Sequence, residues 1–166
     1  MLPERGVGGR AVLLGLLPKR KLHFIPVDLN ENSSVELFRS TLTKQSSPCF
    51  VLFEGILPYL QKPKALELIQ LCATHLQSGS RVVIHIFLDG YEISEIRKKV
   101  VQFFNRELGL TNHNFTYFNQ AEFENISDFK LIEHVGFDII QERYTPNKKF
   151  HREDLIDERF FLFEKK

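Results

Sequence analysis

The sequence predicts an α/β fold: a doubly wound, mainly parallel sheet with an antiparallel strand pair at its C-terminal edge. Three observations carry that prediction. Short apolar runs alternate along the chain with amphipathic segments of helical spacing. Two of the runs, residues 49–53 (CFVLF) and 81–88 (RVVIHIFL), are nearly or wholly apolar, as strands covered on both faces are. The last two runs are joined by a charged loop with no strong helical pattern, so they pair as antiparallel neighbours.

Each element follows from local chemistry. Residues 21–29 (KLHFIPVDL) read as a strand stopped by the turn formers at 30–34. Ser33 or Ser34 can cap the helix at 35–44, whose apolar set is Val35, Leu37, Phe38 and Leu42. After the strand at 49–53, residues 64–77 place Leu66, Ile69, Leu71, Cys72 and Leu76 at helical spacing. Pro63 suits the first turn of that helix and Gly79 lies near its end. The strand at 81–88 leads to an amphipathic helix at 94–108, closed by Gly109. Residues 111–123, rich in Asn and aromatics, read as a loop with a short helical turn, and 125–135 as a helix ended by Gly136. Strands at 137–144 and 159–164 close the chain. No internal repeat divides the 166 residues, and the expectation is a single domain, 1–166.

Composition excludes several classes of function. Lys plus Arg number 22 and Asp plus Glu 21, so the basic footprint of a nucleic-acid binder is absent from the sequence. No apolar run approaches the roughly 20 residues needed to cross a bilayer. Cys49 and Cys72 support neither a disulfide framework nor a four-thiolate zinc site, and read as small buried hydrophobes in a reducing compartment. The first twenty residues loosely imitate a signal peptide. The apolar run 11–17 is short, however, and Pro18, Lys19 and Arg20 stand where small residues should precede cleavage. They read as the tail of a helix and its loop, and a cytoplasmic location is the expectation.

Chemistry is sought at the carboxyl ends of the strands, where open parallel sheets bind ligands. Asp28 closes the first strand and Glu54 the second. A carboxylate there can accept hydrogen bonds from a ribose, an adenine amino group or a cationic ligand, and Gly55 lets backbone approach closely. The competing interpretation makes Asp28 a cap of the following loop and Glu54 the first solvated residue after a core strand. The six histidines show no metal-ligand spacing, and His85, inside an apolar strand, reads as a hydrogen-bonded core residue. No serine occupies a nucleophile elbow, and the Gly6–Gly9 cluster matches neither phosphate-binding fingerprint. Lys148, Lys149, Lys165 and Lys166 read as solvated charges.

Residues 24–29 (FIPVDL) and 53–60 (FEGILPYL) together resemble the leucine carboxyl methyltransferase family, class I O-methyltransferases dependent on S-adenosylmethionine. The resemblance implies a Rossmann-like sheet with its strands in the order third, second, first, fourth, fifth, seventh, sixth. It implies that Asp28 and Leu29 contact the adenine of S-adenosylmethionine, with the Asp28 carboxylate accepting from the exocyclic amine. Glu54 then lies beside the ribose and methionyl portion, and Tyr59 lines the pocket. Methyl transfer from a sulfonium depends on an oriented acceptor more than on a covalent catalyst, and no catalytic residue is assigned. The family's Gly-rich loop and acidic second strand have no counterpart in the sequence. The expectation is therefore an N-terminally truncated, C-terminal portion of the fold, in which the third strand (residues 22–27) lacks its neighbour and the fourth (49–53) becomes an edge. Two functions follow: methyl transfer to a carboxylate or hydroxyl of a small-molecule or protein acceptor, or a non-catalytic interaction module. In both, the strand edges point to self-association or a complementing chain; neither nucleic acid nor membrane is expected as a partner.

Overall fold

The computed structural model describes residues 23–89, 95–107, 115–124, 126–147 and 158–166. Expectations for residues 1–20, including the Gly6–Gly9 cluster, and for Lys148 and Lys149 lie outside them. The described elements are α1 (Asn32–Thr43), β1 (Phe50–Phe53), a 3-10 turn (Leu57–Tyr59), α2 (Lys62–His75), β2 (Arg81–Leu88), α3 (Glu95–Glu107), β3 (Tyr117–Phe118), α4 (Ala121–Glu124), β4 (Phe129–Gly136), α5 (Phe137–Tyr144) and β5 (Glu158–Lys165).

The sheet runs β1-β2-β5-β4, with β3 joined to β2. β1 and β3 are parallel to β2, whereas β5 is antiparallel to both β2 and β4. Phe87 pairs with Tyr117 on one edge and Glu158 on the other, so β3 lies on the β1 side of β2. This is the fourth, fifth, seventh and sixth strand order of the methyltransferase sheet, with β5 alone running against the other four described strands. β2 is the central strand because its apolar run suits burial on both faces and its backbone is bonded along both edges.

Residues opposite each other in a ladder share a face. Val82, Ile84 and Ile86 of β2 and Phe161 and Phe163 of β5 turn to one face. There they join Phe53, Val35 and Leu42 of α1, and Ala65, Leu68, Ile69 and Cys72 of α2, in one buried cluster. Phe161 stacks parallel to Phe163 and lies 5.5 Å from Phe123 of α4. The opposite face carries Val83, Phe160 and Leu162, all half-buried, and at the β1 edge Phe50 and Leu52, which are 61% and 48% exposed. One face is thus the core and the other is only partly covered.

The start of β2 is clasped by buried Ser80. Its hydroxyl accepts from the Cys49 amide (3.1 Å) and its carbonyl from the Lys165 amide (2.8 Å), joining the near ends of β1 and β5. Gly79, at φ +83°, supplies the left-handed turn after α2 and donates to the Lys165 carbonyl.

Four sequence expectations are corrected. Residues 23–28 form no strand, and Phe24 is 83% exposed. Among the described residues no strand lies beside them to satisfy their backbone groups. The helix expected at 125–135 is instead β4, and the strand expected at 137–144 is instead α5. The antiparallel C-terminal pair exists, but its members are β4 and β5. FKLIEHVG carries enough apolar character to pair along β5. FDIIQERY puts Asp138 in its first turn and Arg143 in its last, the charge order that a helix dipole favours. Finally, neither Ser33 nor Ser34 caps α1. Glu31 is its N-cap with no side-chain hydrogen bond, and the Ser34 hydroxyl instead accepts from the Asp28 amide (3.2 Å).

No helix of the described residues is long and apolar enough to cross a membrane. The unequal faces give a direct test by urea denaturation. Phe161→Ala should cost about 3–5 kcal/mol, as removal of a fully buried ring does, whereas Phe50→Ala should change stability by less than about 0.5 kcal/mol.

Candidate functional site

The strand directions bring several chain segments to one rim of the sheet. β1, β2 and β3 run parallel and end there, at Glu54, Asp89 and Asn119. β5 runs the other way and begins there at Glu158, and β4, parallel to β2, ends there at Gly136. This is the carboxyl rim at which open α/β sheets hold ligands.

Glu54 is exposed at the tip of β1, and among the described residues no hydrogen bond or ion pair engages its carboxylate. Gly55 follows at φ +62°, a left-handed conformation that side chains with a Cβ disfavour. A Cβ built on Gly55 would meet nothing within 4 Å. Glycine is therefore demanded there by backbone conformation, and the space beside it is open.

The chain then turns sharply and is pinned. Leu57 and Pro58 are buried, the Thr116 amide donates to the Pro58 carbonyl (2.8 Å), and the Thr116 hydroxyl donates to the Leu60 carbonyl. Tyr59 meets Phe115 edge to face at 5.2 Å. Its hydroxyl is pushed above the ordinary tyrosine range by burial and then by the Glu158 carboxylate. Phe115 in turn meets Phe87 at 5.2 Å, which links Tyr59 to the aromatic group around His85.

His85, on β2, is buried as its apolar strand suggested. Its Nδ1 accepts a hydrogen bond from the Gly55 amide (3.2 Å), and its Nε2 lies 2.8 Å from Glu158 Oε2. The imidazole stacks on Phe160 at 4.7 Å and meets Phe87 edge to face at 5.5 Å. The structure thus gathers Glu54, Gly55, Tyr59, His85 and Glu158 around the ends of β1 and β2.

Asp28 and Leu29 sit apart from this group in the chain, in the turn that opens α1. Asp28 Oδ1 accepts from the Asn30 amide (2.9 Å) and from Asn30 Nδ2 (3.1 Å), and the Asp28 carbonyl accepts from the Glu31 amide. Leu29 packs, half-buried, against the core cluster. No hydrogen bond or ion pair of the described residues joins Asp28 to Glu54. Glu158 carries no signal in the sequence, because only the β2–β5 register places it opposite Phe87 and beside His85. A further charged pair marks the rim at β4: Arg159 Nη1 donates to Asp138 Oδ1 (3.0 Å), and a Cβ on Gly136 would run into that guanidinium. No group of three or more metal-ligating side chains occurs among the described residues.

The residues present fit the adenosine side of a class I methyltransferase cofactor in one respect. An acidic side chain stands at the rim beside open space and a glycine backbone that a ligand can approach.

Comparison with known proteins bears on the family and the fold. The family model for leucine carboxyl methyltransferase matches residues 11–73, which span both sequence blocks. Among solved structures, the chain is similar to a provisionally named methyltransferase from Thermobifida fusca, with a TM-score of 0.58 at 16% identity. That alignment covers 96% of this chain and 59% of the other, so the chain spans well under two thirds of its length. An O-methyltransferase family 2 protein from Planctomyces limnophilus, solved with apigenin, aligns over 75% of this chain and 34% of its own at 14% identity. Its TM-score of 0.43 is too low to carry an argument. No curated protein matches the sequence. The family match over residues 11–73 and the strand order together identify the chain as resembling the leucine carboxyl methyltransferases, with the sheet of a methyltransferase fold.

Proposed function

We propose that this chain serves an S-adenosylmethionine-dependent O-methyltransferase, forming the adenosine side of the cofactor site. The observation that supports this most directly is Glu54, exposed at the carboxyl rim beside the open space at Gly55 and inside the family match. In this reading Glu54 accepts hydrogen bonds from the cofactor's ribose side, Asp28 accepts from the adenine amine, and Leu29 packs against the adenine. When bound, S-adenosylmethionine supplies an electrophilic methyl group on a positively charged sulfur. The rim carboxylates Glu54 and Glu158 favour a cationic ligand, and Tyr59, Phe115 and Phe87 pack in series as an aromatic wall beside them. The acceptor is a carboxylate or a hydroxyl of a small molecule or protein.

The Gly-rich part of the cofactor cradle is proposed to come from a segment or chain that adds strands to the β1 edge. The exposed Phe50 and Leu52 support that arrangement, since a strand and helices laid there would cover them. A cytoplasmic setting belongs to the same reading. Cys49 and Cys72 are both free, and burial, with Cys49 adding, pushes the Cys72 thiol up to about 12. The same exposed β1 edge favours a second reading, a non-catalytic module that uses the edge to bind a partner or a second copy.

Calorimetric titration with S-adenosylhomocysteine separates the two. On the first reading the chain binds it, and Glu54→Ala and Asp28→Ala each weaken binding about tenfold or more, as loss of a hydrogen bond to a charged group implies. Stability should change by less than about 0.5 kcal/mol in Glu54→Ala and fall by about 1 kcal/mol in Asp28→Ala, which loses the hydrogen bonds from Asn30. A folded chain that binds nothing and self-associates in light scattering supports the second reading. Independently of ligand, Gly55→Ala should destabilise the fold by about 1–2 kcal/mol in thermal unfolding, because alanine must adopt the left-handed conformation.

A further inference from the structure

We infer that His85 is a positioning residue: bridging Gly55 and Glu158, it fixes the turn that presents Glu54 to the site. This rests on the reading of Glu54 as a ligand contact.

The hydrogen bonds determine how the imidazole is protonated. The Gly55 amide can only donate, so the Nδ1 it reaches at 3.2 Å carries a lone pair. The ring proton is then on Nε2, which donates to Glu158 Oε2 at 2.8 Å. The His85 and Glu158 side chains are only 8% and 14% exposed, so water competes weakly for either bond. Stacking on Phe160 and the edge contact with Phe87 hold the ring plane in the orientation both bonds need.

The position in the sheet explains why a side chain is used. The β1–β2 ladder ends at Phe53 opposite Ile84. The next two residues of β1, Glu54 and Gly55, leave the strand, because Gly55 turns to φ +62°. Its amide can no longer reach a backbone acceptor on β2. His85, the residue after Ile84, supplies the acceptor from its ring instead and carries the connection on to β5 through Glu158. Three strands are thus tied by one side chain one step beyond the last backbone rung. The left-handed glycine is held where it places Glu54 at the rim, and Glu158 fixes the tautomer that makes this possible.

Nuclear magnetic resonance on the full chain tests the assignment. Long-range proton–nitrogen correlations should show His85 Nδ1 unprotonated and Nε2 protonated; a protonated Nδ1 overturns the proposal without any variant. Hydrogen exchange at the Gly55 amide should quicken about tenfold in His85→Phe, which keeps the ring stacking but removes both nitrogens, while exchange at Ile84 stays unchanged. His85→Asn, which returns an acceptor near the Nδ1 position, should recover part of the protection. Unchanged Gly55 exchange in His85→Phe overturns the proposal, and so does acceleration that Ile84 shares. Titration with S-adenosylhomocysteine separates this from the underlying reading. Binding weakened by Glu54→Ala but not by His85→Phe overturns the positioning role and leaves Glu54 as a contact. No binding in any form, with Gly55 still protected through His85, overturns the contact and supports the positioning.

Discussion

Everything in this fold depends on the double pairing of β2. Its backbone is bonded to β1 and β3 along one edge and to β5 along the other, and its apolar side chains leave it no other stable environment. The strand orders the rest at both of its ends. At its start Ser80 joins the beginning of β1 through its hydroxyl and the end of β5 through its carbonyl, and towards its far end His85 ties Gly55 to Glu158 through an imidazole. Between the two clasps the register is fixed, and a fixed register decides which side chains reach the rim. The site is in this sense a product of strand pairing, with Glu158 brought to His85 by a ladder that begins some distance away at Arg81 and Glu164.

The two faces of the sheet have different energetic roles. One buries phenylalanines, leucines and isoleucines under α1 and α2 and supplies the apolar burial that offsets chain entropy. The other is left half covered, and its edge strand presents Phe50 and Leu52 to solvent. A doubly wound sheet ordinarily carries helices on both faces. The solved neighbour, of which this chain matches 59%, has more chain with which to supply them. The proposal that further strands join at β1 therefore answers a structural imbalance as well as a chemical one.

Much of this was legible in the residues. The bounds of β2 follow directly from the sequence, because an apolar run that long, between Ser-Gly-Ser and Asp-Gly, has one sensible reading. β1, α1 and α2 were found to within a few residues, and the blocks around Asp28 and Glu54 led to the family that the comparison matches. The exchange of helix and strand across residues 129–144 has a physical cause. FKLIEHVG and FDIIQERY are short and of mixed pattern, so their local preferences are weak. The ladder with β5, a contact distant in sequence, decided between them. Residues 24–27 failed in the opposite sense: their pattern suits a strand, but a strand needs a neighbour. At the site, Glu54 was legible because it follows a strand. Glu158 was not, because the register that brings it to His85 cannot be read from composition or spacing.

The place of β5 in the sheet has a consequence for how the molecule is assembled. β5 lies between β2 and β4, yet it follows every other described strand in sequence. During synthesis β2 and β4 must both emerge before the strand that joins them exists. Until then β4 has no partner and β2 keeps an open edge, so the sheet closes by insertion of its last-made piece. Pairings this distant in sequence are slow to form, and the waiting strands are the species most open to pairing with other chains. Closure of the sheet thus waits on Glu158–Lys165, the segment that also carries the carboxylate held by His85.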